Sequence, residues 1–300
     1  MFGLTILGNN SAIPAFDRHP TSQVLNFGQD TFLIDCGEGT QIQLARYKVR
    51  RNRINHIFIS HLHGDHYFGL IGLITSMSLL GREEPLHIYS PVVLEKIIEM
   101  QLNASGTVLN YELYFHPNYN EGIILEEEHF SVSCFPVKHR IECWGYIFRE
   151  KKIPRKIIKE KVVEYGIPTI FYNRLQQGED YISKDGSVVE NDWVTIPNSP
   201  GKSYAYCADT IYDECLAKKV KNVNLLYHEA TYLHELAERA ANRFHSTAFE
   251  AGCIAQKAKV GKLVIGHFSS KYEEIDAFLD EAKTAFDNAD LAIEGVTYRF

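Results

Sequence analysis

No run in the 300 residues approaches the ~20 consecutive apolar residues of a transmembrane helix, which argues against a helical span and a membrane partner. The opening Met1-Phe2-Gly3-Leu4-Thr5-Ile6-Leu7-Gly8 lacks the basic start of a signal peptide and reads as a first strand. Cysteine is sparse and scattered. Cys36, Cys134, Cys143, Cys207, Cys215 and Cys253 form no CxxC pair, so we expect buried, reduced thiols in a cytoplasmic protein, not disulfides or zinc ligands. A positive net charge is also missing. The value of −7 argues against indiscriminate nucleic-acid binding. Its distribution is uneven, however. Arg46 to Arg53 holds five basic residues and no acid, and Arg149 to Lys161 holds seven against Glu150 and Glu160. These 21 residues carry +10 and leave −17 on the remainder. Two basic islands on an acidic body suit a polyanion held at defined points, or equally two solvated surface segments.

A hydrophobic content of 45% and a charged content of 23% fit a folded soluble protein, and the length allows one large domain or two small ones. Short apolar runs alternate with turns and helical patterns in both halves, which indicates a layered α/β fold. Leu4 to Leu7, Thr31 to Ile34, Ser131 to Val137, Ser203 to Cys207, Asn222 to Tyr227 and Lys262 to Ile265 read as strands. Ser90-Pro91 reads as an N-cap with proline at the first helical position, opening a helix to about Leu102. Thr247-Ala248-Phe249-Glu250 matches a capping box, with its helix ending near Gly261. Residues from about 150 to 200 are more charged and read as an inserted arm within a single domain over 1–300. The 17 tyrosines and 17 phenylalanines are spaced for core packing more than for base stacking.

The densest chemical signal is Ile59-Ser60-His61-Leu62-His63-Gly64-Asp65-His66. Imidazole and carboxylate are the usual ligands of Zn²⁺. Four candidate ligands in six residues cannot share one face of a helix or strand, so a loop serving more than one centre is expected. The simplest reading is half of a two-metal hydrolytic site. His61, His139, Asp209 and His267 each lie one to three residues past a predicted strand. Strand ends on one sheet edge converge on a shared crevice, so distant segments can supply one site.

At this point the residues resemble a family. His61-Leu62-His63-Gly64-Asp65-His66 is the HxHxDH motif of metallo-β-lactamase-fold hydrolases. Asp35-Cys36-Gly37-Glu38-Gly39-Thr40-Gln41, His228-Glu229-Ala230-Thr231, His245-Ser246-Thr247 and Gly266-His267-Phe268-Ser269-Ser270-Lys271-Tyr272 narrow the resemblance to the ribonuclease Z family of tRNA 3′-processing endonucleases. The resemblance implies a four-layer αββα sandwich and two zinc ions per chain. One zinc would be held by His61, His63 and His139, the other by Asp65, His66 and His267, with Asp209 bridging them. It implies Asp65 as acceptor or orienter for the attacking water, His245 as proton donor to the departing 3′-oxygen, and Glu229 as its orienter. The substrate would be precursor tRNA, the products a 3′-hydroxyl on the tRNA and a 5′-phosphate on the trailer, and the assembly a homodimer. The chain departs from the family at Thr169-Ile170-Phe171, where the family carries a Gly-Pro element in its tRNA-gripping arm.

Two other readings stay open from the residues: a phosphodiesterase acting on small phosphodiesters, and a non-catalytic RNA-binding module. His19, His56, His87, His116, His129 and His234 have no ligand-spaced partners and are expected as surface or hydrogen-bonded residues. His228 lies inside a family motif and is less readily set aside.

Overall fold

The computed structural model describes residues 2–151, 154–198 and 200–300. Met1 and Lys152, read above as part of the first strand and of the second basic island, lie outside the described residues. The chain divides into two compact units. One comprises Met1–Glu126, Val132–Phe148 and Ser203–Phe300, the other Glu127–Ser131 and Arg149–Lys202.

The first unit is built on two seven-stranded sheets. The first runs, in spatial order, Thr297–Arg299, Phe2–Gly8, Ser22–Phe27, Asp30–Cys36, Ile54–Phe58, Leu86–Ser90 and Leu113–Pro117. The second runs Ala289–Leu291, Lys262–Gly266, Leu225–Glu229, Ser203–Cys207, Trp144–Glu150, Phe130–Pro136 and Gly122–Glu126. Aromatic side chains fill the space between them. Phe58 meets Tyr146 at 5.3 Å between ring centroids, and Phe32 meets Phe148 at 5.2 Å. All four are buried, as the packing role of the aromatics requires, and each such side chain contributes roughly 1.5–3 kcal/mol of burial.

Helices cover the outer faces. Leu70–Leu79 buries Leu70, Leu73, Ile74 and Met77, the i, i+3, i+4, i+7 stripe of an amphipathic helix, against Leu33, Ile57 and Ile88 of the first sheet. On the second sheet lies Ala248–Ala258, whose capping box forms as the sequence indicates, Thr247 and Glu250 exchanging bonds with each other's backbone. Gly252 lets this helix approach Asp276–Ala285 closely, since a Cβ there would stand 2.6 Å from the Ala282 carbonyl oxygen. The order helix, sheet, sheet, helix is the four-layer sandwich that the resemblance implies.

Local corrections have identifiable causes. Ser90 and Pro91 do not open a helix. Ser90 is the last ladder residue of Leu86–Ser90, its carbonyl accepting from Asn118, and the helix begins at Leu94 after a turn. Asn222 to Tyr227 is not one strand. Asn222 is left-handed at φ 58°, and the strand is Leu225–Glu229, so His228 and Glu229 lie within it. The His-rich segment is not wholly a loop, because Gly64–Tyr67 forms one helical turn. The cysteines are free thiols and four are buried. Cys215 is exposed, because it sits at the start of the short surface helix Leu216–Lys219.

The second unit has its own small core of Val162, Ile167, Leu175, Val189 and Val194. Thr169–Phe171 is a 3₁₀ turn that packs Phe171 on this core and exposes Ile170. Arg155, counted above among the basic island, braces the unit internally. Its Nε donates to Thr195 Oγ1 at 2.7 Å, and its guanidinium pairs with Asp192.

Three histidines read as unremarkable form a stack on the inner face of the first sheet. The rings of His56 and His87 lie 5.1 Å apart and nearly parallel, and His87 Nδ1 is 3.0 Å from His116 Nε2. The buried Nδ1 of His56 has no hydrogen-bond partner among the described residues. Burial, then the like charges available on His87, His116 and Arg82, lower the His56 pKa to about 4. The folded state thus holds His56 neutral where the unfolded chain binds a proton, so stability falls as pH drops from 6.5 towards 4. We expect His56→Phe to reduce the stability loss between pH 7 and pH 4.5 by about 2–3 kcal/mol. Urea unfolding at the two pH values measures this, and equal losses in both proteins would refute it.

Candidate metal centre and active site

The site forms where strand ends of both sheets meet. His61, His139 and Asp209 follow Ile54–Phe58, Phe130–Pro136 and Ser203–Cys207 by two or three residues, and His267 directly follows Lys262–Gly266. Two glycines permit the close approach of the first sheet's turns. A Cβ on Gly37 would stand 2.4 Å from the Asp65 carbonyl oxygen, and one on Gly69 would stand 2.1 Å from that of Gly37. The backbone is bent to aim side chains. Ala12, Asp35 and His267 are left-handed at φ 66°, 54° and 63°, each at a cost of roughly 1–2 kcal/mol. Such conformations persist where the surroundings over-determine them, which is common at functional sites.

The structure gathers the sequence-derived residues into one cluster. His61, His63, His139 and Asp209 present ligand atoms within 4.8 Å of one another, as do Asp65, His66 and His267. Asp209 lies beside both groups, 3.6 Å from His61 Nε2, 3.4 Å from His66 Nε2 and 3.2 Å from His267 Nε2. A third grouping, Asp209, His245 and His267, likewise presents ligand atoms within 4.8 Å of one another.

Outer partners set which ring nitrogen faces inward. His66 Nδ1 bonds to Asp35 Oδ2 at 2.7 Å, His139 Nδ1 to the Phe244 carbonyl at 3.0 Å, and His267 Nδ1 to Thr231 Oγ1 at 2.9 Å. Each leaves Nε2 for the centre. The inward nitrogens crowd together: His61 Nε2 and His139 Nε2 lie 3.0 and 3.1 Å from His63 Nδ1, and His66 Nε2 lies 3.3 Å from His267 Nε2. Lone pairs at these separations suit a shared cation, not one another. Among the described residues, the buried Asp209 Oδ1 has no hydrogen-bond partner. Among the described residues, no lysine or arginine pairs with Asp35, Asp65, Asp209 or Glu229. The donor set therefore fits metal cations.

The electrostatics agree. Burial, reinforced by neighbouring imidazoles, holds His61 far below its ordinary pKa and His63 at about 4, so both are neutral, the ligand form. Burial disfavours charge on His66 as well, but the carboxylates of Asp209, Asp65 and Asp35 outweigh it and raise the pKa well above normal. Three carboxylates thus demand positive charge at that nitrogen.

His245 is held differently. Its Nδ1 bonds to Glu229 Oε1 at 2.9 Å and lies 3.2 Å from Thr231 Oγ1. Glu229 is fully buried and accepts in addition from the Thr210 and Thr231 amides at 3.0 Å. Burial opposes protonation of His245, yet the Glu229 charge and hydrogen bond, then Asp209 and Asp65, raise its pKa to about 9. His245 also lines a cleft of about 460 Å³ with His63, Asp65 and Asp209, a volume typical of ligand sites.

Sequence reasoning missed four contributors. Asp35 accepts from Ser60 N, Ser60 Oγ and Tyr206 OH besides binding His66, and Thr231 ties Glu229 to His267. Arg140 and Phe68 line the cleft, the latter 62% exposed. Asp35 lay in a motif already singled out, but its contact with Tyr206 spans 171 positions and leaves no local trace. His228 is not in the cluster. It is buried, its Nδ1 donating to the Glu229 carbonyl at 2.7 Å.

Comparison with known proteins agrees with this construction. The family model described as Anti-Pycsar protein Apyc1 matches residues 2–151. Human tRNase Z, short form, has a similar structure, with a TM-score of 0.71 and 26% identity over 99% of this chain and 98% of that one. A metallo-β-lactamase-fold protein from Bacillus subtilis shares the fold, with a TM-score of 0.70 and 20% identity over 100% and 99%. The fold is thus the mixed α/β sandwich of the metallo-β-lactamase proteins. Ribonuclease Z from Bacteroides fragilis is 43% identical over 297 residues, 98% of each chain. The chain belongs to the ribonuclease Z family.

Proposed function

We propose that this protein is a metal-dependent endoribonuclease that removes the 3′ trailer from precursor tRNA in the cytoplasm. It leaves a 3′-hydroxyl on the tRNA and a 5′-phosphate on the trailer. The observation that carries the reading is His245, bonded to Glu229, beside seven convergent ligand side chains at a cleft that His63, Asp65, Asp209 and His245 line. In this reading His61, His63 and His139 would hold one zinc ion and Asp65, His66 and His267 a second, with Asp209 serving both groups. When bound, the two ions supply Lewis-acid charge and a nucleophilic water at neutral pH. Asp65 is held by the Ala12 amide at 2.7 Å and orients the attacking water. Glu229 keeps His245 protonated, and His245 hands that proton to the departing 3′-oxygen. Arg140, on the cleft wall, suits the scissile phosphate.

The test is cleavage of labelled precursor tRNA together with elemental analysis of the same preparation. A chain that hydrolyses a small chromogenic phosphodiester and leaves precursor tRNA intact would establish the small-phosphodiester reading instead. A chain with neither activity and no metal would point to a non-catalytic RNA-binding module.

The second compact unit is, in this proposal, the substrate-binding arm. Arg155 is engaged internally, so Lys156 and Lys159, which are exposed, are its better phosphate contacts. Replacing both by alanine should weaken precursor tRNA binding and lower the slope of log affinity against log salt by up to about 2. Filter binding between 50 and 200 mM salt, on the order of the range where this effect is large, reads that slope. An unchanged slope would remove these lysines from the interface. A homodimer is part of the same proposal, since the adjoining helices Thr40–Arg46 and Leu70–Leu79 leave Ile42, Leu79 and the following Leu80 exposed. Light scattering at the 34.3 kDa chain mass would refute it.

A further inference from the structure

The first basic island does more than decorate the surface. Leu7, Val24 and Leu33 lie on one face of three adjacent strands of the first sheet and are fully buried. Two residues along, the same face carries Thr5, Asn26 and Thr31. The face therefore turns from apolar to polar at one end. These three side chains help line a cavity of about 390 Å³ whose lining also includes Lys48, Arg50 and Arg53. Thr5 Oγ1 meets Thr297 Oγ1 at 2.8 Å, and Thr31 Oγ1 donates to Asn26 Oδ1 at 3.1 Å. The Asn26 Nδ2 amide donates to nothing among the described residues. None of Lys48, Arg50 and Arg53 takes part in an ion pair among them, although the chain as a whole is acidic. Thr31 and Asp35 lie near opposite ends of the strand Asp30–Cys36, so the cavity lies ~13 Å or more along the sheet from the metal cluster.

Three unpaired cations beside a floor of hydroxyl and amide groups form an anion site whose donors suit tetrahedral oxyanions. We propose that this cavity binds a phosphate group, at a site separate from the metal centre. Two sources share that chemistry, a backbone phosphate of bound RNA and a free phosphate compound. The proposal holds whether or not the chain cleaves precursor tRNA.

The experiment is calorimetric titration of the metal-loaded protein with pyrophosphate, comparing wild type with a Lys48→Ala, Arg50→Ala, Arg53→Ala variant. Wild type should show two classes of site, the metal centre and this cavity, and the variant should lose one. A variant isotherm unchanged in stoichiometry and affinity would overturn the proposal. Asn26→Leu, which removes only a floor donor, should weaken the same class about 5-fold. If the triple variant proves unfolded by circular dichroism, this single variant decides, and an unaltered isotherm refutes the site. Filter binding of precursor tRNA then separates the sources. A salt slope reduced by about 1–3 in the triple variant assigns the cavity to RNA backbone. An unchanged slope alongside the lost pyrophosphate class assigns it to a free phosphate compound. Failure of wild type to cleave precursor tRNA would defeat the proposed activity and leave this isotherm untouched.

Discussion

Replacing Asp209 by alanine should reduce metal occupancy in both halves of the metal cluster, the largest single effect we expect. The side chain is 2% exposed and within 4.0 Å of ring nitrogens of His61, His66, His139, His245 and His267. Among the described residues it belongs to two of the three possible ligand groups, and one of its oxygens has no hydrogen-bond partner. Its charge is therefore available to cations on either side. Without it, the remaining imidazoles would face bound cations with less compensating charge. Elemental analysis should show the metal content falling from two ions per chain to one or none. Activity should fall at least as far as loss of a general acid would take it, about 10²–10⁴-fold. Asp209→Asn separates charge from packing, because it keeps the shape and loses the carboxylate. A single tightly held ion, unaltered by either substitution, would defeat the two-metal arrangement.

His245→Ala should act on rate and spare the metal. Nδ1 of His245 is committed to Glu229, itself saturated with donors, an arrangement suited to holding a proton on the ring. Against burial, the Glu229 carboxylate and then Asp209 and Asp65 raise its pKa to about 9, and bound cations nearby would draw it towards neutrality. A general acid must be protonated, so the wild-type kcat should decline as pH rises through that value. The variant should lose about 10²–10⁴-fold on precursor tRNA and lose this alkaline limb. A substrate with a 4-nitrophenolate leaving group needs little protonation, so its hydrolysis should fall much less. Glu229→Gln should shift the limb to lower pH, since the carboxylate raises the His245 pKa. Loss of metal from His245→Ala would mean that the third grouping, with Asp209 and His267, is a real ligand set.

Much of the site was legible in the chain. The HxHxDH run, the strand-terminal positions of His139, Asp209 and His267, and the capping box after His245 are all local patterns. Local spacing records which side chains a turn or strand end presents, so these residues were identifiable before any fold was known. The alternation of strands and helices likewise indicated an α/β layered protein.

Other features depend on contacts between distant segments. Ser90-Pro91 has the composition of a helix start, yet pairing with Leu113–Pro117 holds Ser90 in the sheet. Arg155 looks like a phosphate contact until Thr195 and Asp192 engage it. The unremarkable spacing of His56, His87 and His116 gave no sign of their stack, because cross-strand register sets His56 opposite His87 and a diagonal contact on the next strand adds His116. Asp35 orients His66 through a carboxylate that also accepts from Tyr206 of the other sheet. Likewise, the polar end of the first sheet meets Lys48, Arg50 and Arg53 only once three strands lie side by side. The sequence by itself thus determined the candidate residues and the layered class, because both are written in short-range spacing, while the division of those residues into two ligand groups came from the family resemblance. Tertiary structure alone decided ring orientation, proton placement and the basic cavity of the first island, because each arises from side chains that only folding brings within hydrogen-bonding or electrostatic range.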